Sequence, residues 1–478
     1  MNPIVSLLDR TNASAIALVA LTADGEREEI TFARVSADAA TLAGRFASLG
    51  VTRGDVVLTL MGSRPEWVLS MIACWRLGAV ALPCHEMLTA KDLTHRIRAT
   101  DPKLIIAHEK NLPALSEASN GRQVITVPDP DFCRGPAAAA ADLAASDPAV
   151  VIFTSGTTSD PKGIVHGQRW ISGQHLQASE WFAARPGTLA WCTAAPGWSK
   201  SARNAFLAPW LCGAAALLHD ARFDPHQRSE ILEQERVATL CQAPTEYRVM
   251  AARGAIKPLP DLKQMVAAGE ALDSSVIEAF IEATANRVRI RDGYGQTETN
   301  HLTSVRPGDS APHGSMGRAL SGIKLEVING ELIVDPATVP TFYVKTLNGE
   351  PAPLDRPWHT GDLVHEEGGW LFFEGRADDI ISSAGYRIGP LEVESALATH
   401  PAVAESAVVA APDAERGHVV KAIVVLRDGF EPGEQLVGEL QQHVKAETAP
   451  YKYPRVVEFA DSLPRTNSGK LRRSALKG

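Results

Sequence analysis

The chain of 478 residues carries a formal net charge of −9, with 45% hydrophobic and 22% charged residues. This is the composition of an ordinary globular protein, and the length is too great for one core, so about three domain-sized units are expected. The negative balance argues against nucleic acid or an anionic membrane surface as the main partner, and any anionic small ligand needs a locally basic site.

In chain order, the first apolar run, residues 15–21, is short, lacks a basic flank and leads into Thr22-Ala23-Asp24-Gly25, a turn signal. It predicts a strand and hairpin rather than a signal peptide, and no membrane insertion is expected. Helical patterns over residues 36–49 and 64–77 alternate with apolar runs at 56–60, 104–107 and 150–153, which predicts layered α/β units. The six cysteines, Cys74, Cys84, Cys133, Cys192, Cys212 and Cys241, show no close spacing that suggests a metal or disulfide. They read as buried thiols in a reducing compartment, which implies a cytoplasmic protein. Arg134-Gly135-Pro136 breaks regular structure, and with the small residues 137–141 it predicts a surface connection with no function of its own. Residues 1–150 carry no chemical motif.

After the apolar run 150–153 the chain reads Thr154-Ser155-Gly156-Thr157-Thr158-Ser159-Asp160-Pro161-Lys162-Gly163, a strand entering a phosphate-gripping loop. The hydroxyls of Thr154, Ser155, Thr157 and Thr158 can donate to phosphate oxygens, Gly156 lets the backbone approach, and Lys162 supplies charge. Pro161 before Lys162 excludes the Walker loop, so a flexible lid over a nucleoside triphosphate is expected. The alternative is a polar loop between a strand and a helix.

Further along stand Gly197-Trp198-Ser199-Lys200, Ala268-Gly269-Glu270, Asp292-Gly293-Tyr294-Gly295-Gln296-Thr297-Glu298, and Ser315-Met316-Gly317-Arg318. They are followed by His359-Thr360-Gly361-Asp362, Gly375-Arg376, Gly385-Tyr386-Arg387-Ile388-Gly389-Pro390, and the run from Pro464-Arg465 to Gly469-Lys470. In this order, over residues 150–470, they make the chain resemble the adenylate-forming (AMP-binding) superfamily. The stretch 385–394 is most similar to medium-chain acyl-CoA synthetases. The resemblance implies a large N-terminal α/β domain, residues 1–377, of two layered sheets and a small β-barrel. It also implies a mobile α+β C-terminal domain, residues 378–478, turning about a hinge at Asp378. From Asp379 onward the sequence itself reads as an α+β unit, with helices over 390–399 and 435–445 and strands over 405–410 and 419–426. Without the resemblance, Asp378-Asp379 would be a solvated turn.

The implied partners are ATP, Mg2+, coenzyme A and a small carboxylic acid, joined in two steps through an acyl adenylate. By resemblance, Lys470 bridges the carboxylate and the α-phosphate, Glu298 is the Mg2+ ligand, and Thr297 and Arg387 contact phosphate. Tyr294 offers a face to adenine, Gly269, Glu270 and Ala271 form the wall opposite it, and Asp292, Gly293 and Gln296 belong to the same nucleotide-contacting segment. Asp362 accepts the ribose hydroxyls, with Arg376 beside it. Ala384, Gly385 and Tyr386 line the pantetheine path, and Arg416 is a candidate for a coenzyme A phosphate, otherwise a solvated loop arginine. Outside their motifs these residues read as surface charges or core aromatics.

Trp198, Ala268 and Gly295 match positions lining the acyl pocket. Glycine at 295, where acetate-specific relatives carry Trp, implies room for a medium chain or a small ring, and Ala195 in place of an acidic residue argues against amino acids. Ser159 and the short stretch 330–358 depart from the family pattern, the latter implying a trimmed third subdomain. A ligase that loads a carrier protein and a non-catalytic adenylate-binding homologue are the alternatives, and the motifs leave oligomeric state open.

Overall fold

The computed structural model describes residues 1–116, 118–119, 121–154, 161–269, 274–383, 386–413, 416–465 and 471–476, without the side chains of Ser274, Ser275 and Arg387. Two compact units emerge. One comprises Met1–Thr154, Pro161–Lys324 and Asp335–Pro357, the other Leu325–Val334 and the chain from Trp358.

The first unit holds two sheets of seven strands each among the described residues. In one, the order is Ile290–Arg291, Gln264–Val266, Thr239–Cys241, Leu189–Cys192, Ala215–Asp220, Ile16–Thr22 and Arg27–Thr31. Neighbours are parallel except the last pair, which is the hairpin expected after residue 15. The second sheet runs Lys345–Thr346, Lys162–Gly167, Pro148–Thr154, Val80–Cys84, Val56–Leu60, Leu104–His108 and Val124–Val127. Both contribute to one core around the helices Phe32–Ser48 and Pro65–Leu77.

Local sequence explains those helices. Thr31 caps the first by accepting from the Arg34 amide, and Val35, Ala39, Leu42 and Phe46 recur at helical spacing on its buried face. The second starts on Pro65, ends at Gly78 with φ 74°, and is buried at Trp67, Val68, Met71, Ile72 and Trp75. Trp67 and Trp75 pack on Phe206, with ring centroids at 5.6 and 6.1 Å, and so fix the segment 203–211 against the core. The connection at 134–141 has no regular structure and is largely exposed, as expected. Its backbone is nonetheless tied down: Ala138 donates to the Ala40 carbonyl and Ala141 to that of Arg76. A Cβ on Gly44 would stand 1.8 Å from the Pro136 oxygen.

In the second unit, Leu325–Ile328, Glu331–Val334, Trp358–Glu367 and Trp370–Arg376 form an antiparallel sheet in that order. Among the described residues this four-stranded sheet stands where the small barrel was expected, and the short stretch after Val334 does not add to it. Instead Asp335–Pro357 belongs to the first unit and supplies the edge strand Lys345–Thr346. The remainder follows the expected order: helix Pro390–Ala398, strands Val403–Asp413 and Gly417–Leu426, and helix Glu434–Glu447. Val393, Leu397, Val408, Val424, Leu440 and Val444 form their core. Asp378 lies two residues beyond the last strand of the four-stranded sheet.

Candidate functional site

The motif residues fall in both units. In the first, Pro148–Thr154 is buried up to Phe153, and Thr154 pairs across an antiparallel ladder with Lys162. The Thr154 hydroxyl donates to the Lys162 carbonyl at 3.4 Å, and the Lys162 side chain is exposed. The loop therefore joins two antiparallel strands, not a strand and a helix. Ser155, Gly156, Thr157 and Thr158, with Ser159, lie outside the described residues. Leu347 donates to the Gly163 carbonyl at 3.0 Å, and a Cβ on Gly163 would stand 2.1 Å from the Leu347 side chain, so the short stretch after Val334 braces the strand leaving the loop.

The run from Asp292 forms a hairpin, Gly293–Gln296 against Asn300–Ser304, with Thr297 and Glu298 on its turn. The turn is pinned from the same short stretch: Tyr343 donates its amide to the Glu298 carbonyl at 2.9 Å, and the Thr341 hydroxyl donates to the Thr299 carbonyl at 2.7 Å. Asn300, at φ 60°, accepts from Trp170 Nε1 at 2.9 Å and donates to Thr341. Tyr294, Gly295 and Gln296 are half-buried. A Cβ on Gly295 would meet the Asn300 oxygen at 1.7 Å, so the hairpin itself demands glycine there. Asp292 is only partly covered as a residue, yet protein encloses its carboxyl. Burial pushes its pKa up to about 7 against the pull of the Gly293 amide and Lys200.

Gly197, at φ 94°, lets the chain pass the backbone of His85, where a Cβ would stand 2.6 Å from the His85 nitrogen. Trp198 packs on the His85 ring at 5.3 Å. Lys200 Nζ donates to the carbonyl of buried Ala268. Gly269 follows at φ 100°, exposed; Glu270 and Ala271 lie outside the described residues.

In the second unit, buried Asp362 pairs in register with Arg376. Arg376 donates through Nη1 to Asp362 at 3.1 Å and to the Thr360 carbonyl at 3.2 Å, and through Nε to Asp378 at 3.2 Å. Burial opposes the charge on Arg376, but the two carboxylates outweigh it and raise the pKa. Gly361, at φ 68°, turns its amide to Glu331 at 2.9 Å. Tyr386 is exposed and stacked on Tyr451, with centroids at 4.3 Å. The backbone of Arg387 pairs with that of Ser382. Arg416 is exposed at the mouth of the hairpin between Asp413 and Gly417. Ala384, Gly385 and Lys470 lie outside the described residues.

The AMP-binding enzyme model matches residues 8–340, and the model for the C-terminal domain of AMP-binding enzymes matches 392–470. The chain belongs to the AMP-binding enzyme family. Similar members include the uncharacterized acyl-CoA ligase YtcI of Bacillus subtilis (strain 168), 36% identical over 95% of this chain and 91% of the relative. Another is the mitochondrial acyl-coenzyme A synthetase ACSM4 of Rattus norvegicus, 36% identical over 90% and 80% of the two chains. The crystal structure of the anthranilate CoA ligase AuaEII with anthranoyl-AMP superposes with a TM-score of 0.87 at 28% identity, covering 100% of this chain and 96% of that one. Within the AMP-binding enzymes the chain is an acyl-CoA synthetase, an AMP-forming acid–thiol ligase that uses ATP, Mg2+ and coenzyme A.

The residues present fit a divalent cation: a carboxylate, Glu298, on a turn held by backbone hydrogen bonds. No group of three or more His, Cys, Asp or Glu poised for a metal occurs among the described residues, and Mg2+ bound through phosphates and one carboxylate needs none. Nor is any helix among them long and apolar enough to cross a membrane.

Sequence reasoning missed two features of this region. The bracing role of Thr341 and Tyr343 has no local signal, because it is a long-range contact. The buried Arg203 did have one: Arg203 and Asn204 interrupt the apolar run from Ala202 to Leu211.

Proposed function

We propose that the chain activates a medium-chain or small cyclic or aromatic carboxylic acid, in the cytoplasm, and passes it to coenzyme A. The observation that carries this reading lies in the first unit. Ala268 is bound by Lys200, two residues after Trp198, and Gly295 pairs with His301, one hairpin turn from Thr297 and Glu298. One expected acid-pocket position, Gly295, lies on the same hairpin as the run expected to contact nucleotide, which supports the reading. The anthranilate ligase, a structural relative, bears a ring acid as its adenylate.

In the first step a carboxylate oxygen attacks the α-phosphorus of ATP and pyrophosphate leaves. Two anions meet, so the main demand is charge neutralisation. Lys470 bridges the carboxylate and α-phosphate, Arg387 and Thr297 contact phosphate, and Ser155, Thr157, Thr158 and Lys162 hold the β- and γ-phosphates. Mg2+, held by Glu298, offsets phosphate charge when bound. Tyr294 and the backbone at 269–271 enclose adenine, while Asp362, oriented by Arg376, accepts the ribose hydroxyls. In the second step the thiol of coenzyme A attacks the acyl carbon and AMP leaves. Ala384, Gly385 and Tyr386 line the pantetheine path, Arg416 meets a coenzyme A phosphate, and the domain from Asp378 onward turns between the steps.

The test is carboxylate-dependent pyrophosphate release from ATP, from acetate through octanoate with benzoate and cyclohexanecarboxylate, with and without coenzyme A. Release that grows with chain or ring size and turns over only with coenzyme A is expected. Release without that dependence points to a carrier-protein acceptor, and a preference for acetate overturns the substrate class.

A further inference from the structure

Arg203 is 4% exposed. Its Nε donates to the Ser199 carbonyl and Nη1 to Gln177 Oε1, both at 3.0 Å. Gln177 in turn donates to Asn204 Oδ1 at 3.0 Å. Among the described residues no carboxylate lies within ion-pair distance of Arg203 or of Lys200. Burial pulls the Arg203 pKa down only to about 10, so the group stays charged at neutral pH. The acidic groups that act on Arg203 are the Cys192 and Cys241 thiols, while Asp292, its pKa raised by burial to about 7, faces Lys200.

Among the described residues, the buried polar atoms without partners include both ring nitrogens of His301, on which Arg203 acts, Trp181 Nε1 beside that ring, Ser199 Oγ and Asn204 Nδ2 next to Arg203, and both amide atoms of Gln174. The His301 and Trp181 rings are 4.1 Å apart. Burial first, then Arg203 and Lys200, drive the His301 pKa down, so the imidazole is neutral and has one N–H to donate. A buried, uncompensated guanidinium beside orphaned donors is costly, and such a constellation persists where a ligand completes it.

The cluster backs onto the acyl positions. Lys200 binds the Ala268 carbonyl, Gly295 pairs with His301, and a Cβ on Gly293 would stand 2.4 Å from His301 Nε2. We propose that Arg203 and His301 recognise a second carboxylate on the acid, so that the substrate is a dicarboxylic acid of chain or ring type, one carboxyl reacting and the other anchored. The proposal rests on the ligase reading and on Trp198, Ala268 and Gly295 as its acyl pocket.

Matched pairs test it: adipate against hexanoate, and phthalate and isophthalate against benzoate. Each is assayed by pyrophosphate release and by thermal shift with wild type, Arg203→Leu, Arg203→Lys and His301→Phe. Wild type is expected to prefer a diacid by about tenfold or more in kcat/KM, and Arg203→Leu to collapse that ratio by a similar factor. Arg203→Lys should retain part of it, and diacid-induced stabilisation should weaken in His301→Phe. If Arg203→Leu fails to fold, the ratio in Arg203→Lys and His301→Phe decides. Wild type preferring monoacids, or variants losing mono- and diacids in equal proportion, overturns the proposal alone. If no acid of either panel supports release, the medium-chain or small-ring substrate reading is overturned instead.

Discussion

Two arginines, one in each unit, meet opposite surroundings. Arg376 is half-exposed between Asp362 and Asp378, and the carboxylates raise its pKa. Arg203 is buried among amide and carbonyl oxygens, and burial lowers its pKa to about 10. The first charge is compensated within the chain by Asp362 and Asp378. The second is compensated by no carboxylate among the described residues, and this makes it informative about what the protein binds. A charge in a motif says less than a charge whose partner is missing.

The largest effect is expected where charge is neutralised at the reacting phosphate. Lys470→Ala should lower adenylation by about 10²–10³-fold or more in single-turnover pyrophosphate release, with acid binding largely kept. Activity within threefold of wild type would remove Lys470 from the mechanism. Next, Asp362→Asn leaves Arg376 with Asp378 alone among these two carboxylates and, on the proposed role, removes a carboxylate from the ribose hydroxyls. The KM for ATP should rise about tenfold or more, that for the acid much less. An equal rise in both would mean that the Arg376 pair serves folding only.

Gly295→Ala separates two readings of one glycine. A Cβ placed 1.7 Å from the Asn300 oxygen should destabilise the unit by about 1–3 kcal/mol in urea unfolding. Full stability with a preference shifted to shorter acids would instead favour glycine as a pocket-opening residue.

The smallest effect is a pH slope. His166 is buried, its Nδ1 facing the Thr341 carbonyl at 3.2 Å, and burial lowers its pKa from 6.5 to about 4. The unfolded chain binds this proton first as pH falls, so the contribution is intact above about pH 6.5 and is lost progressively down to pH 4. From pH 7 to 5 it amounts to up to about 2 kcal/mol. His166→Gln should flatten that part of the stability profile, and an unchanged slope would exclude His166 as its source.

Much of the second unit was legible in the sequence. The helices near 390–399 and 435–445 and the strands near 405–410 and 419–426 appear within a few residues of their expected bounds, because local apolar periodicity and turn residues fix them. The hairpin after residue 15 and the strand at 150–153 were legible for the same reason. The β-barrel was not, since closure depends on how many strands pair and the stretch after Val334 pairs elsewhere. Nor did the motif show that Gly295 is required by its own hairpin, which only the approach of the Asn300 carbonyl reveals.

The sequence by itself determined the family and much of the order of the elements, because motif spacing and periodicity are local properties of the chain. Tertiary structure decided what those residues stand beside. Thr341 and Tyr343 reach the turn at Thr297 and Glu298 from more than forty positions away, and Arg203 lies by His301 about a hundred positions along. Compensation of a buried charge is a sum over spatial neighbours, and no local pattern in the chain contains it.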